Sequence, residues 1–221
     1  MKALLLKYII ISFFAASAGS AFTIYTNEIK KINTPDNAGP YNKFLKKIER
    51  RTSFNFDVEF LPFGRSFKKF KKNSGSCIFP FSKDDAKEVD ENIILSKELG
   101  SIELYAISLK GDFKVTKANH HKMKNVAIRS MYKSGIKFVD DRNYFFVTDE
   151  KQLFSMLERG RVDYILESVP DIYLYFKNGK AGFDKTYHYD NSYLIKEVRE
   201  YMACHKKNKS AEVLIKYLKS L

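Results

Sequence analysis

Cysteine is scarce in this chain, with two residues, Cys77 and Cys204, in a length of 221. Two cysteines leave no ambiguity of connectivity. They form one disulfide in an oxidising compartment, or they remain two buried free thiols. Repeats of 20–50 residues and low-complexity stretches are absent, which excludes a solenoid and argues against disorder. No GxSxG, HExxH or phosphate-loop pattern occurs, so nothing marks a serine hydrolase, a zinc protease or a nucleotidase. After residue 21 no run is long and apolar enough for a membrane span of about 20 residues. Acidic residues are also in deficit, 26 against 39 lysines and arginines, for a net charge of +13. The lysines are spread along the chain, which is the pattern of a solvated surface rather than a nucleic-acid track, and no nucleic-acid partner is expected.

What is present begins with "MKALLLKYIIISFFAASAGSA". Lys2 and Lys7, an apolar run from Tyr8 to Ala16, and small residues at Gly19 and Ala21 form a secretory signal, with cleavage expected after Ala21. A membrane anchor is the alternative reading of the same run. The expected product is a soluble, exported, periplasmic protein. Its 44% hydrophobic and 15% aromatic content is enough to fill one core or two small ones.

The mature chain alternates strand and helix signals. "FTIYTNE" alternates as a strand and leads into a proline-bearing loop. "GPYNKFLKKIERR" places Pro40 in a first helical turn, with Tyr41, Phe44, Leu45 and Ile48 on one face. "SFNFDVEFLP" alternates strictly, "GRSFKKFKKN" is a short helix, and "SCIFPF" is an apolar strand carrying Cys77. "SKDDAKEVDEN" is a polar, helical link, and "IELYAISLKG" is a long strand. A second series follows: "KNVAIRS" as a strand, a short piece to Phe138, "YFFV" as a strand, and the helix "TDEKQLFSMLERG". That helix has Thr148 as cap, Asp149 and Glu150 in the first turn and Gly160 as stop. "VDYIL" is a buried strand, "VPDIYLYFKNGK" a helix, "EYMACHK" a strand and "SAEVLIKYLKSL" a terminal helix. Alternation of this kind specifies an α/β architecture with mainly parallel sheets, here in two lobes. Ligands bind such sheets beyond the carboxyl ends of the strands.

The order of "GPYNKFLKKIERRTSFNFDVEFLPFGRSFKKFKKNSGSCIFPFSKDDAKE", "VAIRSMYKSGIKF", "DEKQLFSMLERGRVDYILES" and "YMACHK" resembles the family 3 extracellular solute-binding proteins, which have the type 2 periplasmic-binding fold. The resemblance covers nearly all of the mature chain. It implies two α/β lobes joined by two crossover strands: 22–108 with 198–221, and 109–197. It also implies closure on a small polar ligand, amino-acid-like or an organic anion, for an ABC transporter permease or a sensor. It further implies a monomer with no cofactor and no enzymatic activity. Lys87 stands where amino-acid binders carry the arginine that grips a carboxylate bidentately. Glu167 and Ser168 stand where the family presents an acid to the ligand ammonium.

The candidate ligand-binding residues are Tyr25, Glu28, Arg65, Lys87, Arg129, Glu167 and Ser168. Arg129 ends a strand just before Ser130 and an expected helix start, whose amides would join its guanidinium in an anion site. Arg65 follows Gly64 at a helix start, and Tyr25 and Glu28 close the first strand. Asp163 is assigned to the backbone rather than to ligand. His120 and His121 are adjacent, cannot easily share one ion, and read as a solvated linker. Two other functions fit the same fold class: a small-molecule lyase or dehydratase, and an extracellular interaction protein without a small ligand.

Overall fold

The computed structural model describes residues 21–87, 89, 92–133, 142–169 and 171–221. The expected leader, apart from Ala21, lies outside these residues, as do residues 134–138 of the piece leading to Phe138 and the helix start at Pro170.

The chain runs β1 (Ala21–Thr26), α1 (Pro40–Arg51), β2 (Asn55–Phe60), α2 (Phe63–Lys72), β3 (Cys77–Ser82), α3 (Lys83–Ala86), β4 (Ile93–Leu95) and β5 (Gly100–Leu109). It continues through β6 (Asn125–Arg129), β7 (Asn143–Val147), α4 (Glu150–Glu158), β8 (Tyr164–Ser168), α5 (Gly179–Phe183), β9 (Tyr187–His205) and α6 (Lys209–Ser220). The strands follow the order β2-β1-β3-β9-β5-β8-β6-β7, with β4 on β9. β1 pairs parallel with β2 and β3, and β6 pairs parallel with β7 and β8. Between these parallel sets, β5 and β9 run antiparallel, with register shifts at Leu104/Tyr105 and Tyr105/Ile107. The fold is a two-lobed α/β architecture.

Each lobe carries apolar side chains on both faces of its strands, as period-2 alternation requires. In the first lobe Ile24 packs with Leu45, Ile48, Leu214 and Leu218, which covers one face with α1 and α6. Its neighbour Tyr25 points the other way and packs with Phe67, Phe70 and Phe81 under α2. In the second lobe Leu153 and Leu157 of α4 pack on Ile165, Phe183 and Tyr187. The opposite face holds Leu104, Val126, Ile128 and Leu166. Cys77 and Cys204 sit opposite each other on β3 and β9 and form a disulfide with a sequence separation of 127.

Several elements differ from the sequence reading. The helix expected over "VPDIYLYFKNGK" is a 3-10 turn, Asp171–Tyr175, and then the short α5. Gly179 at φ 54 turns the backbone left-handed between them, which ends any continuous helix. The strand expected from Glu200 begins at Tyr187. Its first part is a crossover with polar and half-exposed side chains, so it lacks the apolar alternation of a sheet buried on one side. The cap of α4 is Asp149, whose Oδ1 accepts from the Gln152 amide at 2.8 Å, rather than Thr148. β4 has only three residues and pairs by backbone, so its sequence carries no strand signal.

Candidate ligand-binding cleft

β1 and β2 in one lobe, and β6 and β7 in the other, end at the same open space. The residues that follow each strand line a cleft of about 620 Å³. Asn27, Glu28 and Lys30 follow β1, and Phe60–Phe63 close β2 and open α2. Arg129 and Met131 end β6, and Thr148–Glu150 follow β7. This is the place where parallel α/β sheets present loops and helix starts to a ligand. The lobes touch across it. The Asn27 amide lies 3.8 Å from Met131 sulfur, and Lys30 Nζ lies 5.3 Å from the centre of the Tyr175 ring.

Arg129 forms the back wall. The parallel register sets Ile128 beside Leu166, which places Arg129 next to Glu167 on the adjoining strand. Arg129 Nε lies 2.6 Å from Glu167 Oε2, and Nη2 donates to Glu167 Oε1 at 2.7 Å and to the Tyr132 hydroxyl at 2.6 Å. Nη1 pairs with Glu150. Glu150 Oε1 also accepts from the Tyr175 hydroxyl at 2.6 Å, and Glu167 Oε1 accepts from the Ser168 amide at 2.7 Å. Burial opposes the charge on Arg129, but Glu167, Tyr132 and Glu150 hold its pKa well above the usual value. Burial pushes the Glu167 carboxyl up, and the guanidinium opposes that shift.

A second polar layer lies behind this wall. Glu200 of β9 is buried and accepts from the Tyr41 hydroxyl of α1. Asp171 and Tyr132 face it from the other lobe. Burial raises the Glu200 carboxyl to about 7. The Tyr41 hydrogen bond opposes that rise, and the Asp171 charge adds to it.

Of the seven residues singled out by sequence, Glu28 and Arg129 line the cleft. Glu167 and Ser168 are buried directly behind Arg129, where the Ser168 hydroxyl donates to Asp171 at 2.9 Å. Tyr25 turns into the first-lobe core, its hydroxyl accepting from Asn73 at 3.1 Å. Arg65 is exposed on α2 and is not part of the lining. Lys87 is exposed, with Nζ 2.8 Å from Asp84, and is also not part of the lining. The turn after Arg129 is a 3-10 turn, Ser130–Tyr132, and not a helix start aimed at an anion. Asp163 holds backbone, accepting from the amides of Lys124 and Asn125 at 2.8 Å.

The sequence reading overlooked Lys30, Phe63, Asp149 and Glu150. In the sequence Asp149 and Glu150 stand only as acids in the first turn of a helix capped by Thr148. Their position directly after a strand was the signal, since the rule that selected Glu28 and Arg129 applies equally to the end of β7.

No family model matches the sequence, and no curated protein matches it by sequence. The fold does match solved structures. The arginine-bound form of truncated ArgBP from T. maritima is 13% identical, covers 90% of this chain and 93% of its own, and has a TM-score of 0.65. The GluR0 ligand-binding core from Nostoc punctiforme, in complex with L-glutamate, is 10% identical over 90% and 92%, with a TM-score of 0.69. A double mutant of the Bordetella pertussis BvgS VFT2 domain is 10% identical over 90% and 87%, with a TM-score of 0.68. At these identities the likeness is one of fold, and it spans nearly the whole described chain.

Proposed function

We propose that this chain is an exported solute-binding protein that closes its two lobes on a small polar ligand and presents it to a membrane permease or a sensor. The observation that carries the reading is the cleft itself. It opens at the carboxyl ends of four parallel strands from two lobes, and side chains from both lobes line it. Structures with this fold include an arginine-bound and a glutamate-bound protein, which supports a small-ligand site here. In this reading the lobes comprise residues 22–108 with 198–221, and 109–197. The leader directs the chain to the periplasm, and the protein acts as a monomer without a cofactor. A ligand that touches both lobes favours the closed state by its differential affinity for it.

The test is a thermal-shift screen with amino acids, polyamines, organic acids and sugars. A ligand at about 100 times its Kd should stabilise the protein by about 2.7 kcal/mol. The same compound should reduce the radius of gyration in solution scattering. A screen in which no compound moves the melting temperature would count against the reading.

A further inference from the structure

The charge balance of the cleft runs opposite to that of the chain. The chain has 39 basic residues against 26 acidic ones. Among the described residues the cleft lining has Glu28, Asp149 and Glu150 against Lys30 and Arg129. Glu167 stands directly behind the arginine.

Arg129 is the buried cation that would ordinarily be assigned to a ligand carboxylate, and its fork is already filled. Nε and Nη2 face Glu167, and Nη1 faces Glu150. A ligand carboxylate would have to displace Glu150 from the guanidinium, and Glu150 would then lose its only cationic partner among the described residues. Breaking a buried pair in this way is costly, because the stranded charge stays desolvated. Lys30 is exposed and lies against the Tyr175 ring.

The acids, by contrast, keep acceptor capacity. A carboxylate offers about four lone-pair sites. The described bonds of Glu150 fall on Oε1. Asp149 accepts from the Gln152 amide on Oδ1 and, at 3.5 Å, from the Thr148 hydroxyl on Oδ2, which fills one lone pair on each oxygen. Glu28 is exposed, and its carboxylate has no partner among the described residues. Phe60 and Phe63 also line the space, and aromatic faces attract cations.

We propose that the group this cleft recognises is an organic cation, an ammonium or guanidinium held by Glu28 and the Asp149–Glu150 pair, and that a carboxylate on the ligand is not required. The inference rests on the solute-binding reading and narrows its ligand class.

The test uses the purified protein and matched probes in calorimetry and thermal shift. Agmatine and arginine share a guanidinium, but only arginine has a carboxylate. Spermidine extends the cationic arm, and glutamate and succinate form the anionic arm. Binding of agmatine or spermidine is expected, with affinity weakened by about ten-fold or more in Glu28→Gln and in Glu150→Gln. Glu28 is exposed, so Glu28→Gln should keep the parent melting temperature without ligand and serve as the clean variant. Binding of glutamate or succinate but not of the cations would overturn the inference and leave the solute-binding reading standing. Binding of arginine but not agmatine or spermidine would do the same. Binding by none of these probes would overturn the inference, and the broader screen with sugars and other amino acids then decides the solute-binding reading.

Discussion

Arg129 shows how far single residues were legible. Its position at a strand end marked it in the sequence, but its three partners did not. Glu150 and Glu167 are 21 and 38 positions away; Glu167 meets it because β6 and β8 align with Ile128 beside Leu166, and Glu150 because β7 pairs Val147 with Arg129 just before α4 begins. Strand register is a tertiary property, so an arginine written as an anion site becomes the centre of an internal ion-pair network. Tyr25 misled for a simpler reason. Alternation told that it faces the side opposite Ile24, but not which side borders the cleft. Glu200 was invisible to composition and carries a pH dependence of its own. Its carboxyl is raised from an ordinary 4.5 to about 7, chiefly by burial. Between those values the native state holds a proton that the unfolded chain releases, so stability falls as pH rises through that window and levels off above it. The decline should be on the order of 3 kcal/mol. Glu200→Gln should flatten it, as measured by denaturant midpoints from pH 4 to 8.

Elements were more legible than residues. Helices with a cap, an apolar face and a stop were marked in the sequence, because each signal acts within one or two turns. α4 ends as its glycine implied. Gly160 sits at φ 62, and the Arg161 amide reaches back to the Met156 carbonyl at 2.9 Å. The crossover strand and the three-residue β4 escaped, because their pairing depends on neighbours rather than on their own pattern. Two glycines separate backbone freedom from close packing. No heavy atom lies within 4 Å of a Cβ added at Gly160, so Gly160→Ala should cost only the left-handed penalty, about 1 kcal/mol. A Cβ at Gly39 would lie 2.1 Å from the Ile32 carbonyl oxygen, where α1 begins. Gly39→Ala should therefore cost about 2 kcal/mol or more, since backbone must move. Paired urea melts of the two variants would check the order.

At the scale of the whole molecule, the disulfide ties β3 to β9 across a loop of most of the chain. Linking positions that far apart restricts the unfolded ensemble, by about 5 kcal/mol in the chain-entropy account. The double variant Cys77→Ala/Cys204→Ala should lose about that much in denaturant unfolding, with a larger m-value as the unfolded chain expands. The same bond bears on how the lobes move. The chain passes between them twice, along β5 and β9, and both register shifts of that pair fall between Leu104 and Ile107. The far end of β9 is covalently locked to β3, so it cannot slide to relieve a rotation. Any relative turn of the lobes must be absorbed as torsion at the mismatched stretch of two strands. The pair of crossover strands is in this sense a torsion bar with one end welded in place.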